Sequence, residues 1–132
     1  MTKNTKYFRF TYDSDESLSE MLNEGTLIPS KILLAGGKND PQQYIDKKLR
    51  IGDAVFLARY DIDECAGVVV AIGIVESEKP ASKVRWHRAD FKLYPSPTGG
   101  EAQWKKERCF KFDDAPAKRY GLAATFLKYF PQ

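Results

Sequence analysis

Two apolar runs separated by a short acidic excursion dominate residues 49–76, LRIGDAVFLARYDIDECAGVVVAIGIVE. Gly52-Asp53 stands before the first run. Residues 53–60 read as a strand, 61–64 as a turn and 67–76 as a long second strand. Val68-Val69-Val70-Ala71-Ile72 is nearly unbroken apolar sequence, the pattern of a strand covered on both faces. Gly67 and Gly73 fit a strand that bends or that another backbone approaches closely.

Around this hairpin the pattern changes period. Residues 6–12, KYFRFTY, are rich in β-formers and predict a first strand, although aromatic and polar positions alternate imperfectly. Asp13-Ser14-Asp15 supplies capping side chains for a helix over 16–23, with Leu18, Met21 and Leu22 on one face. Gly25 ends it, and Pro29 holds Ile28 extended. Asp40-Pro41 opens a second helix through about Lys48, with Tyr44 and Ile45 turned inward and cations at its end.

After a loop at 78–82, residues 83–91 predict a strand with Val84 and Trp86 on one face and Lys83, Arg85 and His87 on the other. Residues 94–100, YPSPTGG, form the clearest loop. Residues 103–112 predict a last strand with Phe110 and Phe112 in alternation. Residues 116–130 predict a terminal helix with Leu122, Phe126, Leu127 and Phe130 on one stripe. Short strands with helices inserted after the first fit an α+β fold and leave too few βαβ alternations for a doubly wound sheet.

Length and composition narrow the picture further. At 132 residues, 42% hydrophobic and 13% aromatic, the chain is expected to be one domain, 1–132, with a core that requires no staple. The net charge of +3 permits a nucleic-acid partner without requiring one. Cys65 and Cys109 lie in no zinc-binding spacing, so neither metal nor cofactor is expected. The N-terminal residues carry no signal-peptide apolar region, and no run reaches the ~18 apolar residues of a membrane span. The expected setting is the cytoplasm, with reduced thiols.

Several residues carry the candidate chemistry. Trp86, on a strand of alternating charge, and Trp104, between a loop and Lys105-Lys106, are candidates to stack on a flat ligand. Tyr60, at a strand end beside Arg59, is a third. Gly36-Gly37-Lys38-Asn39 offers backbone amides and a cation to a phosphate, without P-loop spacing. Lys83, Arg85 and His87 predict a basic strand face suited to a phosphate backbone. His87 is the only histidine, and no nucleophile elbow accompanies it. Asp61, Asp63 and Glu64 read as a solvated turn rather than a calcium loop.

The aromatic strand Tyr7-Phe8-Arg9-Phe10, the helical insertion, Ile51-Gly52-Asp53-Ala54-Val55-Phe56 and the run Gly67 to Val75 together resemble the PUA-like superfamily. Within it they resemble the EVE-like domains, related to the YTH and ASCH domains. The resemblance covers most of the chain diffusely. It implies a small mixed or antiparallel β-barrel with helices after the first strand and at the C-terminus. It also implies DNA or RNA binding, single-stranded or carrying a modified base held in an aromatic pocket. Phe8, Tyr60, Trp86 and Trp104 would then stack, Lys38, Arg85 and Lys105 would hold phosphates, and Asn39 would read a base edge. EVE domains carry a tryptophan in the first strand, where this chain has Tyr7, Phe8 and Phe10. The loop at 33–39 has no aromatic. An ASCH-like enzyme acting on nucleic acid or nucleosides, and a protein-interaction domain, are the alternatives.

Overall fold

The computed structural model describes residues 5–28, 39–97 and 100–131. Its centre is a five-stranded mixed sheet of β1 (Tyr7–Phe10), β2 (Ala54–Asp61), β3 (Ala66–Val75), β4 (Val84–Leu93) and β5 (Cys109–Lys111). The order is β4-β3-β2-β1-β5. β1 runs parallel to β2, and every other pairing is antiparallel. The parallel pair needs a long crossover, which contains α1 (Asp15–Glu24) and α2 (Pro41–Gln43). This is an α+β fold, as the pattern predicts. Among the described residues β4 and β5 stand at opposite ends of the order, and no pairing between them closes the sheet into a barrel.

Strand alternation sends side chains to two apolar layers. Phe8, Phe10, Val55 and Leu57 meet Leu18 and Met21 of α1 and Tyr44 and Ile45 beside α2. Ala54, Phe56 and Phe110 point the other way, toward Trp104 of α3 (Gly100–Lys106) and Leu122 and Phe126 of α5 (Leu122–Tyr129). In β3 the parity flips at Val70. Leu57 pairs with Ala71 while Ala58 pairs with Val69, so an extra residue bulges there. The bulge lets both Val69 and Ile72 face the second layer.

Local signals account for the helix ends. The Ser14 hydroxyl accepts from Ser17 N at 3.1 Å, and Gly25 caps α1 at φ 66°, a left-handed geometry that favours glycine. Asp40 accepts from Gln42 N at 3.0 Å. The α2 turn then widens into a π-helical turn, Tyr44–Lys48, closed by Leu49 N donating to Tyr44 O at 2.9 Å.

Three expectations are corrected. Residues 103–112 do not form one strand: α3 ends at Lys106, and only Cys109–Lys111 pair with β1. Ala102, Gln103, Lys105 and Lys106 are strong helix formers, and that propensity wins over the Phe110/Phe112 alternation. The terminal helix is two helices, α4 (Asp114–Tyr120) and α5, broken at Gly121, whose φ is 67°. Leu122, Phe126 and Phe130 are buried at i, i+4 and i+8, whereas Leu127 lies off that stripe and is exposed. The strand glycines are approached by side chains and not by backbone, Gly67 by Trp104 and Gly73 by Val84 and Trp86. A Cβ on Gly67 would overlap the Trp104 ring, and one on Gly73 would lie 2.6 Å from Cε3 of Trp86. No described helix is long and apolar enough to cross a membrane.

Candidate functional site

The site begins with Arg9. In β1 its neighbours Phe8 and Phe10 face the first layer, so alternation turns Arg9 into the second. It is 1% exposed. Its Nε donates to Ala58 O at 3.0 Å and its Nη1 to Glu107 O at 2.9 Å. The guanidinium carbon lies 4.7 Å from the ring centroid of Trp104 and 5.5 Å from that of Phe110. Burial lowers the guanidinium to about 9, with the Cys109 thiol opposing the shift. It therefore stays a cation near neutral pH. Cys109 is itself pushed up to about 12 by burial and is an uncharged thiol there.

Trp104 occupies the space that Gly67 leaves open. Its ring meets Phe110 and Phe112 edge-on, at 5.5 and 6.0 Å between centroids. Tyr60 pairs with Gly67 across the β2–β3 ladder. The Tyr60 hydroxyl is enclosed near Glu101 and Cys65 without a well-formed hydrogen bond to either. Burial first, then those two neighbours, push its phenol up to about 12. Lys105 Nζ is paired with Glu101 at 2.9 Å and lies 5.7 Å from the Tyr60 ring. Arg59 reaches back across Tyr12, its Nε donating to Tyr12 O at 3.0 Å with the guanidinium 4.4 Å from the ring.

These side chains, with Thr11 and Glu107, line a cleft of about 380 Å³. Burial grades in one direction along it. Arg9, Thr11 and Trp104 are buried, Arg59, Tyr60 and Glu107 are half-buried, and Lys105 is exposed. Asn39 is tied to the same place. Its backbone N–H donates to Glu107 Oε1 at 3.2 Å, and its Nδ2 donates to Cys109 O at 2.7 Å.

The structure thus brings four of the predicted site residues together: Asn39, Tyr60, Trp104 and Lys105. Trp104 is not an open platform, because Arg9 lies over its ring. Phe8 is elsewhere, buried in the first layer edge-on to Tyr44 at 5.8 Å. Trp86 lies at the far end of the sheet, its Nε1 donating to Thr26 O at 2.9 Å, beside a hollow of about 500 Å³. Arg85 is bonded to Glu76 at 3.2 Å and lies over Phe130 at 5.2 Å. His87 meets the same Phe130 ring at 5.0 Å. The predicted basic strand face is thus partly occupied by the end of the terminal helix. Lys38, Gly36 and Gly37 lie outside the described residues.

Pattern reading missed Arg9, Thr11 and Glu107, and named Arg59 only as the neighbour of Tyr60. One signal was present: in Tyr7-Phe8-Arg9-Phe10 a cation holds a strand position flanked by residues of the core. A further hollow of about 420 Å³ lies beyond Trp104, against Phe112, Asp113, Arg119 and Tyr120. No family model, curated protein or solved structure matches the chain.

Proposed function

We propose that the chain is a non-catalytic nucleic-acid-binding module of the PUA-like, EVE-related kind, and that the Arg9–Tyr60–Lys105 cleft holds a nucleotide, with a modified base as its preferred ligand. The observation that carries this reading is the composition of the cleft. Three cations, Arg9, Arg59 and Lys105, line it together with the aromatic residues Tyr60 and Trp104. Cations hold phosphates, while an aromatic face accepts any base by stacking, at about 1–3 kcal/mol per base. Tyr60 is the ring within reach of a ligand. The element order supports the same reading: an aromatic strand, inserted helices, a central hairpin, a further strand and a terminal helix around a mixed sheet.

The test is fluorescence anisotropy with short single-stranded DNA and RNA, unmodified and base-modified, over a salt series. Log affinity is expected to fall linearly with log salt, with a slope of about −0.7 for each phosphate neutralised. Tyr60→Ala is expected to weaken binding roughly tenfold, as loss of one stacked base requires. An absence of binding at low salt to every oligonucleotide would refute the proposal.

A further inference from the structure

Binding along a strand does not by itself require a buried cation, yet the inner wall of the cleft holds one. Arg9 and Arg59 are each bonded to backbone carbonyls: Arg9 to Ala58 O and Glu107 O, Arg59 to Tyr12 O. Carbonyl dipoles and ring faces orient a guanidinium without cancelling its charge. The nearby Cys109 thiol is un-ionised near neutral pH, and the Glu107 carboxylate in the lining of the cleft is outnumbered by three cations, Arg9, Arg59 and Lys105. Arg9 therefore projects a standing positive potential into a cleft from which water is partly excluded. An anion entering there meets a stronger field than one on the exposed surface.

Three features narrow the class of anion. Burial increases along the cleft toward Arg9 and Trp104, which are 1% and 2% exposed, so the site is entered from the Lys105 side. A phosphodiester inside a strand has chain leaving in two directions and suits a through groove. A terminal phosphate has only one. The volume of about 380 Å³ lies at the small end of ligand sites. A terminal phosphate monoester also carries about −1.5 to −2 charge at pH 7, more than a diester, and three acceptor oxygens. The half-buried Tyr60 ring forms part of the same wall.

We propose that the cleft takes the terminal phosphate monoester of a nucleotide, with Arg9 beneath it and Arg59, Tyr60 and Lys105 around it. This rests on the nucleic-acid reading above and narrows it. Lys105 is shared between the ligand and Glu101, its partner at 2.9 Å. Glu101 therefore competes with the ligand, and removing its charge frees a cation for the phosphate.

The test compares one short single-stranded oligonucleotide with a 5′-phosphate, a 3′-phosphate or hydroxyl ends, together with a nucleoside monophosphate as competitor. A phosphorylated end is expected to bind roughly tenfold tighter than the hydroxyl form, the effect of an added charge-assisted contact. Glu101→Gln is expected to tighten that binding several-fold, a gain that misfolding does not produce. Arg59→Gln is expected to remove most of the preference. Competition by the free monophosphate assigns the site to nucleotides in general, whereas competition only by the phosphorylated oligonucleotide assigns it to strand ends. Equal binding of phosphorylated and hydroxyl forms overturns this inference and leaves the nucleic-acid reading standing. Binding of the monophosphate without any oligonucleotide supports the phosphate site and overturns that reading. Binding of nothing overturns both.

Discussion

Gly67 is where the fold and the cleft depend on the same missing side chain. It lies in β3 between Tyr60 of β2 and Leu93 of β4, so its backbone is fixed by ladders on both sides. A Cβ there would overlap Cζ3 and Cη2 of Trp104 and lie 2.7 Å from Cε3. Carbon atoms in contact prefer about 3.5–4.0 Å, so the nearest ring edge would have to retreat by more than about 1 Å. Arg9 lies over that ring at 4.7 Å, and Phe110 and Phe112 meet it at 5.5 and 6.0 Å. Overpacking a core costs about 1–3 kcal/mol. Gly67→Ala also restricts the unfolded chain, which returns about 0.4–1 kcal/mol. The net expectation is a loss of about 1–2 kcal/mol. At roughly 4 °C per kcal/mol for a chain of this length, that is a fall in Tm of roughly 4–8 °C. Urea denaturation gives the free energy. Tryptophan emission in a Trp86→Phe background isolates Trp104, and that emission is expected to shift. A Gly67→Ala protein that is as stable as its parent, with unchanged Trp104 emission, would refute the packing argument.

Arg9→Met removes the donors to Ala58 O and Glu107 O but also relieves the desolvation of a buried charge. The expected net is a loss of about 1–3 kcal/mol in urea denaturation, and a gain in stability would contradict it. Asp53 is buried and accepts from Arg50 N at 2.9 Å and Lys6 N at 3.2 Å. Desolvation nonetheless raises its carboxyl above the ordinary 3.8, against those two hydrogen bonds. A raised carboxyl gives a stability contribution that is full below 3.8 and lost as pH rises through the folded value. The stability of the parent relative to Asp53→Asn is therefore expected to decline as pH rises through that window, and a difference that grows with pH would contradict it. Trp86→Phe leaves Thr26 O without its donor and is expected to cost about 0.5–1.5 kcal/mol. It is also expected to leave oligonucleotide affinity unchanged, because Trp86 lies far along the sheet from the cleft.

Elements carried by local chemistry were legible. Ser14 and Gly25 bound α1 because a cap and a left-handed glycine act within one turn. The β2–β3 hairpin was legible because its pairing partners are close in sequence and its apolar run is long. The break at Gly121 and the split of residues 103–112 turned on competing signals. Alternation at Phe110 and Phe112 was present, but helix propensity over 100–106 outweighed it. Arg85 and His87 read as an open basic face because nothing near them in sequence shows that Phe130, more than forty residues away, lies against both.

The cleft itself resisted reading for one physical reason. A cation in a strand is expected to face water, since burying its charge costs several kcal/mol. Arg9 reverses that expectation through partners at sequence separations of 49 and 98, which periodicity cannot see. The aromatic residues were visible as types but not as roles. Trp104 resembled a stacking surface because it follows a loop and precedes two lysines. Once Gly67 admits its ring to the core and Arg9 covers it, Trp104 becomes the support that holds the guanidinium in place. The neighbours that remain accessible are Tyr60 at the end of β2 and Lys105, one residue beyond the tryptophan. A glycine that makes room and an arginine that keeps its charge thus account for a cleft at this end of the sheet. The Trp86 end, where the indole donates to a backbone carbonyl and Arg85 pairs with Glu76, lacks that combination.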